Sequence, residues 1–281
     1  MLLGGIAAAS AVIAVAVGIA GGLFASLWGL LWILLIFLGT AAVLALLAFV
    51  FLLILCRMVD ISVPQERDSK FYRTVMTLYI KAVVTALRLH IHVEGLEKVP
   101  KEGRFVLAGN HLSIADPAII LACLPHSQLA FVSKKENADM FVVGKLMHRI
   151  MCQLIDREND REALKTILKC IKLIQEDQVS IGIFPEGYVS EDGKLRHFRS
   201  GVFKIAQRTK VPVVVCTLKN TKQIFENMPK WKRTDVRLCV VDVIQPEDYA
   251  GMSTVQLGHM VHTRMAEDLG PDLVADEHSE V

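Results

Sequence analysis

The sequence FVLAGNHLSIADPAIILAC, residues 105–123, contains the pattern that decides the fold. Its first four residues, Phe105–Ala108, form a short apolar run that predicts a buried strand. Pro117–Cys123 predicts a helix, because Pro is favoured at a helix start and the following residues are good helix formers. A strand, a polar loop and a helix in this order are typical of α/β proteins.

The same alternation continues on both sides of this segment. The predicted strands are 89–93, 129–132, 180–184, 211–218 and 236–243. The predicted helices are 68–88, 138–149, 159–175, 201–208 and 254–268. Strands separated by helices predict an α/β fold with one central, largely buried mixed sheet.

The N-terminal region has a different composition. The chain of 281 residues is 53% hydrophobic and 21% charged, yet residues 1–56 contain no Lys, Arg, Asp, Glu or His. Such a run is too long for one span of roughly 20 residues, so we predict a membrane-embedded helical hairpin with a break at Gly21–Gly22. A signal peptide is the competing interpretation, but no basic region precedes the run and no polar cleavage region follows it. This composition excludes a fully soluble protein, a disordered one and a polytopic transporter.

The charged residues that follow the apolar run predict its orientation. Arg57, Arg67, Lys70 and Arg73 come directly after it, so the positive-inside rule places the globular domain on the cytoplasmic face. We predict a membrane anchor at 1–57, a globular α/β domain at 58–269 and an acidic tail at 270–281. A single tilted span or a re-entrant hairpin is the alternative for the anchor. The six cysteines form no Cys-x-x-Cys pair and are expected to be reduced core residues.

The loop after the 105–108 strand contains the first candidate site. His111 and Asp116 are five residues apart, so a turn brings the carboxylate to one imidazole nitrogen and leaves the other free to accept a proton. The alternative is a plain strand-to-helix loop with a capping Asp. Ser113 lacks a Gly-x-Ser-x-Gly turn, which favours a turn role over a nucleophile. His90 and His92 are expected on the outward face of a strand, with no third ligand at metal-binding spacing nearby.

Two further groups follow other predicted strands. Glu186 and Gly187 belong to the sequence IFPEGY at 183–188, where a sharp turn would present the carboxylate and backbone N–H groups to a ligand. An ordinary β-turn with an exposed Glu is the alternative. Lys134, Lys135 and Arg157 also follow apolar stretches, and they are either solvated or gathered on one rim that suits an anionic head group.

The order of these motifs resembles the glycerophospholipid acyltransferases of the 1-acylglycerol-3-phosphate acyltransferase type. The matching segments are 95–100, Asn110–Asp116, Lys134–Glu136 with Gly144, Ile155–Arg157, Phe184–Gly187, Phe198–Gly201 and Val211–Val213. Together they extend over about residues 90–220.

The resemblance implies transfer of a fatty acyl group from acyl-CoA or acyl carrier protein to the sn-2 hydroxyl of 1-acylglycerol-3-phosphate, giving phosphatidic acid. It implies that His111 is the general base and that Asp116 orients it. It also implies that Arg157 and Lys134 neutralise the acceptor phosphate while Glu186 and Gly187 shape that pocket. Membrane lipids, a lysophospholipid and the acyl donor are the expected partners; a metal, a cofactor, a covalent acyl-enzyme and nucleic acid are not expected.

One departure from the family pattern concerns the acceptor. The family commonly has Thr-Arg after Phe-Pro-Glu-Gly, but this chain has Tyr188 and Val189. Either Arg196 or Arg199 replaces the missing guanidinium, or the acceptor is another lysolipid. A lipid ester or thioester hydrolase and an inactive membrane scaffold are the less favoured alternatives.

A basic and aromatic segment follows the 211–218 strand. Phe225 and Trp231 are surrounded by basic residues, namely Lys219, Lys222, Lys230, Lys232 and Arg233. This mixture is typical of contact with an anionic membrane surface, but it equally fits a solvated loop.

Overall fold

A computed structural model of the chain, described for residues 1–275, contains two compact units. The first is Met1–Val63 and the second begins at Pro64. The predicted acidic tail at 270–281 is described only as far as Ala275, and its other residues lie outside the described part.

The first unit consists of two helices, α1 (Leu2–Ala20) and α2 (Leu27–Arg57). Gly22, with φ of 62°, takes the left-handed conformation that glycine adopts readily and so ends the first helix sharply. The Ser26 side chain then caps α2 by accepting a hydrogen bond from the Gly29 N–H at 3.1 Å. Both helices are long and apolar enough to cross a membrane, judged by length and composition. The predicted break at Gly21–Gly22 is confirmed.

The second unit alternates strands and helices. Its strands are β1 (Leu89–Glu94), β2 (Val106–Gly109), β3 (Leu129–Lys134), β4 (Gln153–Ile155), β5 (Ser180–Ile183), β6 (Val213–Lys219) and β7 (Thr234–Ile244). Its helices are α3 (Lys70–Ala86), α4 (Asp116–Cys123), α5 (Phe141–Arg149), α6 (Asp160–Gln175), α7 (Lys204–Thr209), α8 (Gln223–Asn227) and α9 (Thr254–Leu269). Every predicted strand and helix is present, whereas β4 and α8 were missed because segments of three and five residues show no periodicity.

The seven strands form one mixed sheet in the order β1-β7-β6-β2-β5-β3-β4. Neighbouring strands are parallel except β6 and β7, which are antiparallel and joined by residues 220–233. The prediction of a mixed α/β sheet is therefore confirmed. β2, β5 and β6 are almost fully buried, as expected for strands covered on both faces.

Helices pack on the sheet, and their apolar side chains form the hydrophobic core together with those of the strands. On one face α6, α7 and α9 pack against Val106 and Ala108 of β2 and their neighbours on β5 and β6. Leu107 points the opposite way because strand side chains alternate. Helix α3 contacts both α4 and α5. Burial of these apolar side chains is the main force that stabilises the unit.

The strand directions determine where the candidate residues gather. Since β2, β3, β4 and β5 are mutually parallel, their carboxyl ends lie at one edge of the sheet. His111, Lys134, Arg157 and Glu186 come at or just after these ends. The parallel direction of these strands therefore explains why the candidate residues lie along one edge of the sheet.

Candidate active site

His111 and Asp116 form a hydrogen-bonded pair at this edge. The imidazole Nδ1 lies 2.9 Å from the Asp116 Oδ2 atom. The Asp116 side chain is fully buried, whereas 13% of the His111 side chain is exposed. Within residues 1–275 the imidazole Nε2 has no hydrogen-bond partner, so it is available to a ligand from solvent. The geometry is that of a base oriented by a carboxylate.

The same carboxylate also shapes the loop. Asp116 Oδ2 accepts hydrogen bonds from the backbone N–H groups of Leu112, at 2.7 Å, and Ser113, at 2.8 Å. The Ser113 hydroxyl accepts from the Ala115 N–H at 3.2 Å, which is the expected turn role. These bonds fix the imidazole and its carboxylate in one rigid turn between β2 and α4.

Two aromatic rings support the imidazole, a feature that sequence reasoning missed. The Phe184 ring stacks on His111 with centroids 4.2 Å apart and an interplanar angle of 15°. Phe131 stacks in turn on Phe184 at 5.4 Å, and its ring covers Gly182, where a Cβ atom would lie 2.5 Å from the ring. Glycine at 182 therefore lets Phe131 lie flat beneath Phe184. The signal in the sequence was the Phe that directly precedes Pro185.

Glu186 is buried and faces the backbone rather than solvent. Its Oε1 accepts from the His111 N–H at 2.8 Å, and its Oε2 accepts from the Arg196 N–H at 3.0 Å. Only 1% of the residue is exposed, which differs from the carboxylate presented to a ligand that the sequence suggested. The carboxylate instead joins the His111 loop to the loop after β5. The Ser190 N–H, which donates to the His111 carbonyl at 2.8 Å, strengthens that connection.

Burial gives Glu186 an unusual titration. Desolvation raises the pKa of its carboxyl to about 7, although the two backbone hydrogen bonds oppose this shift. The folded state thus binds a proton more tightly than the unfolded state, so stability falls as the pH rises from the ordinary value through about 7. This group should change the free energy of unfolding by about 3 kcal/mol between pH values below and above its titration, and Glu186→Gln should abolish that change. The measurement is the pH dependence of the apparent unfolding temperature of the detergent-solubilised chain.

The matched control is Glu176→Gln, an exposed glutamate near the end of α6 that pairs with Lys172. It should leave the pH dependence as in the unsubstituted chain. Parallel curves for the Glu186 variant and the unsubstituted chain would contradict the expected linkage.

Gly187 and Arg199 are adjacent. Gly187 has φ of 85°, and a Cβ atom there would lie 3.1 Å from the Arg199 Cδ and 3.2 Å from its Nε. The glycine allows this approach because it has no side chain. Of the two arginines that could replace the missing guanidinium, Arg196 forms an ion pair with Asp192 at 2.7 Å, whereas Arg199 lies against the Phe-Pro-Glu-Gly turn.

Arg157 is half-buried on the same side. Burial is the main cause that lowers the pKa of its guanidinium, and the nearby positive charge of Arg199 adds to the shift. Within residues 1–275, neither arginine has a carboxylate at ion-pair distance. Two guanidinium groups close enough to interact electrostatically, with the charge of Glu136 only partly opposing them, suit the binding of an anion.

Lys134 lies at the edge without a direct contact to the other candidates. Its side chain is 57% exposed, and its ammonium is 3.5 Å from Glu136. The structure therefore joins His111, Asp116 and Glu186 by hydrogen bonds and Gly187, Arg199 and Arg157 by proximity. Lys134 shares only the sheet edge with them.

A separate group of possible metal ligands lies on β1 and β7. His90 and His92 point outward as expected, but Asp235 of the neighbouring strand joins them, with ligand atoms all within 4.8 Å. Sequence spacing could not reveal this third residue, because strand pairing brings it there. The Asp235 carboxylate accepts from Arg233 at 2.6 Å and lies 3.0 Å from His92 Nε2. It is thus engaged in an exposed ion pair.

Comparison with known proteins shows similarity to one family. The sequence model of the acyltransferase family matches residues 90–219. A probable 1-acyl-sn-glycerol-3-phosphate acyltransferase of Mycoplasma pneumoniae is 30% identical over 178 residues, which cover 62% of this chain and 64% of that one. The 1-acyl-sn-glycerol-3-phosphate acyltransferase of Borreliella burgdorferi is 32% identical over 161 residues, covering 54% and 60%. The chain thus spans less than two thirds of the length of these relatives.

A solved structure has the same fold. The 1-acyl-sn-glycerophosphate acyltransferase PlsC from Thermotoga maritima superposes with a TM-score of 0.60 at 24% identity, covering 78% of this chain and 86% of that one. At this identity the likeness concerns the fold. The family match at residues 90–219 includes β2, β5, His111, Asp116 and the Phe-Pro-Glu-Gly turn. The similarity to the acyltransferase family thus covers the segment that carries the candidate site.

Proposed function

We propose that the chain transfers a fatty acyl group from an acyl thioester, acyl-CoA or acyl carrier protein, to the sn-2 hydroxyl of 1-acylglycerol-3-phosphate, giving phosphatidic acid. The supporting observation is the imidazole of His111, whose Nδ1 lies 2.9 Å from a buried carboxylate and whose Nε2 has no hydrogen-bond partner among the described residues. The relatives described above carry names of the same activity.

The reaction follows from the chemistry of an alcohol and a thioester. An alcohol is a poor nucleophile at neutral pH, so His111 Nε2 takes the hydroxyl proton as the oxygen attacks the thioester carbonyl. The negative charge that forms on the carbonyl oxygen is stabilised by hydrogen-bond donors of the site. The carbon–sulfur bond then breaks, and the leaving thiolate takes the proton back from the imidazolium. The proposed route uses no metal ion and no covalent acyl-enzyme.

Each supporting residue has a positioning role in this route. Asp116 holds the imidazole through Nδ1 and stabilises the positive charge that develops on it. Glu186 holds the His111 backbone, and Phe184 holds the ring plane. These contacts restrict the base to one orientation, which keeps Nε2 aimed at the acceptor hydroxyl.

The acceptor phosphate is assigned to Arg157 and Arg199. A lysophosphatidic acid head group is a phosphate monoester, and guanidinium groups bind such oxygens through two parallel hydrogen bonds. Arg157 and Arg199 supply two such guanidinium groups, of which Arg199 lies against Gly187. They offset the loss of the family's arginine, whose position is taken by Val189. Lys134 adds an exposed positive charge at the same sheet edge.

Replacing one of these arginines tests the choice of acceptor. We expect Arg199→Gln to raise the KM for lysophosphatidic acid about tenfold or more, because a charged hydrogen bond to the phosphate is lost. The kcat at saturating acceptor should change little. Steady-state transfer assays across a range of acceptor concentrations measure both constants.

Arg208→Gln on α7 is the matched control, since Arg208 is an exposed arginine in the last turn of that helix. It should leave the KM unchanged. An equal KM increase with lysophosphatidylcholine, whose phosphate is a diester, would favour the second candidate function, transfer to another lysolipid. The Tyr188 and Val189 substitutions are the observation that keeps that candidate open.

The activity itself is tested with the purified full-length chain, labelled acyl-CoA or acyl carrier protein and a panel of lysolipids. Labelled phosphatidic acid that forms only in the presence of lysophosphatidic acid is the expected result. Release of free fatty acid at the same rate with and without lysolipid would instead identify a hydrolase. Absence of both products with every donor and acceptor would favour the inactive scaffold.

The two apolar helices support membrane association of this activity, and we propose that the catalytic domain lies on the cytoplasmic face. Arg57 ends α2, and Arg67 and Lys70 come soon after it, whereas the link between α1 and α2 has no basic residue. Protease treatment of intact, right-side-out vesicles should leave the domain uncut. Cleavage without lysis would contradict the orientation.

A further inference from the structure

The connection between β6 and β7, residues 220–233, exposes three large apolar side chains. Phe225 and Met228 are each 45% exposed, and Trp231 is 69% exposed. We call this segment the β6–β7 loop. An exposed group of large apolar side chains in a folded unit costs free energy in water and typically marks an interaction site.

The loop is ordered by specific contacts, so its apolar side chains are held outward. Ile224, directly before Phe225, is buried and anchors α8 to the unit. The Arg88 Nη1 donates to the Trp231 carbonyl at 2.9 Å, and the Asn227 amide donates to the Thr234 hydroxyl at 3.0 Å. Exposure of the indole is therefore part of the fold.

The charge of the loop is strongly positive. Its basic residues are Lys222, Lys230, Lys232 and Arg233, and its only acidic residue is Glu226. The loop thus has a surplus of three positive charges, whereas the whole chain has a net charge of +2. Lys230 and Lys232 form no ion pair within residues 1–275. Exposed aromatic and basic side chains together match a bilayer surface, which has an apolar interior below anionic head groups.

The loop lies at the same edge of the sheet as His111. β6 is parallel to β2, so the chain leaves both strands on one side. Asn110, next to His111, exchanges two hydrogen bonds with the Leu218 backbone, at 3.0 and 2.7 Å. The Lys222 ammonium also donates to the Glu191 carbonyl, in the segment that follows the Phe-Pro-Glu-Gly turn.

We propose that the β6–β7 loop docks on the anionic surface of the bilayer, with Trp231, Phe225 and Met228 inserted at the head-group level and its lysines facing anionic lipids. The proposal deepens the proposed function. Docking of the loop would turn the edge of the sheet that carries His111 toward the surface where a lysolipid head group lies. This contact with the bilayer is separate from that of the N-terminal helices.

The tryptophan content of the chain permits a direct test. The sequence has three tryptophans, Trp28, Trp32 and Trp231, so the double variant Trp28→Phe/Trp32→Phe leaves Trp231 as the single reporter. The full-length double variant is reconstituted into vesicles of phosphatidylcholine with phosphatidylglycerol, in which one lipid is brominated. Bromine quenches indole fluorescence only at short range, and acrylamide quenches only indoles open to water.

We expect brominated phosphatidylglycerol vesicles to quench about half of the Trp231 emission, and the indole to be protected from acrylamide. Exchanging Lys230, Lys232 and Arg233 for Gln should reduce the partition of the loop on anionic lipid about fivefold for each charge removed. High salt should have the same effect. The matched control, Lys169→Gln/Lys172→Gln on the exposed side of α6, should change neither reading.

Three results would overturn the proposal. The first is a Trp231 that acrylamide reaches fully and bromine does not quench. The second is quenching that is equal in vesicles without anionic lipid and insensitive to the lysine exchanges. The third is protection of Trp231 in neutral micelles that depends on protein concentration, which would place a second copy of the chain on the loop. Because fluorescence needs no turnover, failure here is distinguishable from failure of the proposed transfer reaction.

Discussion

Replacing His111 with Ala is expected to reduce acyl transfer by about two to four powers of ten, because the reaction loses its general base. This corresponds to about 3 to 5 kcal/mol in the activation barrier. The fold should survive. The hydrogen bond from residue 111 to Glu186 uses the backbone N–H, and the Asp116 carboxylate keeps its bonds to Leu112 and Ser113. The measurement is kcat with lysophosphatidic acid and labelled acyl-CoA, together with the apparent unfolding temperature.

The matched control is His126→Ala. His126 is exposed in the turn between α4 and β3, at the opposite edge of the sheet from His111. Its removal should leave kcat unchanged within about twofold. Transfer by the His111 variant at the rate of the unsubstituted chain would show that another group takes the hydroxyl proton.

The fold could be predicted largely because each long element carries its own local signal. The apolar run at β2 and the helical period of α3 and α6 are visible in single segments of the sequence. The order of the strands has no such signal. β7 lies between β1 and β6 and runs antiparallel to β6, a choice that depends on packing across the whole sheet.

The candidate site divides in the same way. His111 and Asp116 are close in sequence, so their spacing was sufficient to predict the pair. Glu186 accepts a hydrogen bond from the His111 backbone although the two residues are 75 positions apart in the sequence. The Phe184 ring stacks on the His111 ring because β5 pairs with β2. The approach of Arg199 to Gly187 depends on a turn with positive φ. Such contacts come from the fold, and a list of motifs does not contain them.

Asp116→Asn is expected to reduce kcat by about two to four powers of ten while the KM of the acceptor stays nearly constant. The substitution keeps the size of the side chain but removes its charge, so the imidazolium that forms during attack loses its stabilising partner. The amide oxygen can still accept from Leu112 and Ser113, and its nitrogen would take the place of Oδ1, which has no hydrogen-bond partner within the described residues. The turn is thus retained and the effect is on the reaction.

The control for this substitution is Asp177→Asn, which removes an equivalent charge from an ion pair with Arg104 at the opposite edge of the sheet. Its kcat should be unchanged within about twofold, because exposed ion pairs contribute little. The decisive measurement is the double variant His111→Ala/Asp116→Asn. If Asp116 acts through the imidazole, the double variant loses no more than His111→Ala alone, since residues that act as a unit are not additive. Multiplication of the two losses would show that Asp116 contributes independently of His111, which would contradict the orienting role derived from the 2.9 Å hydrogen bond.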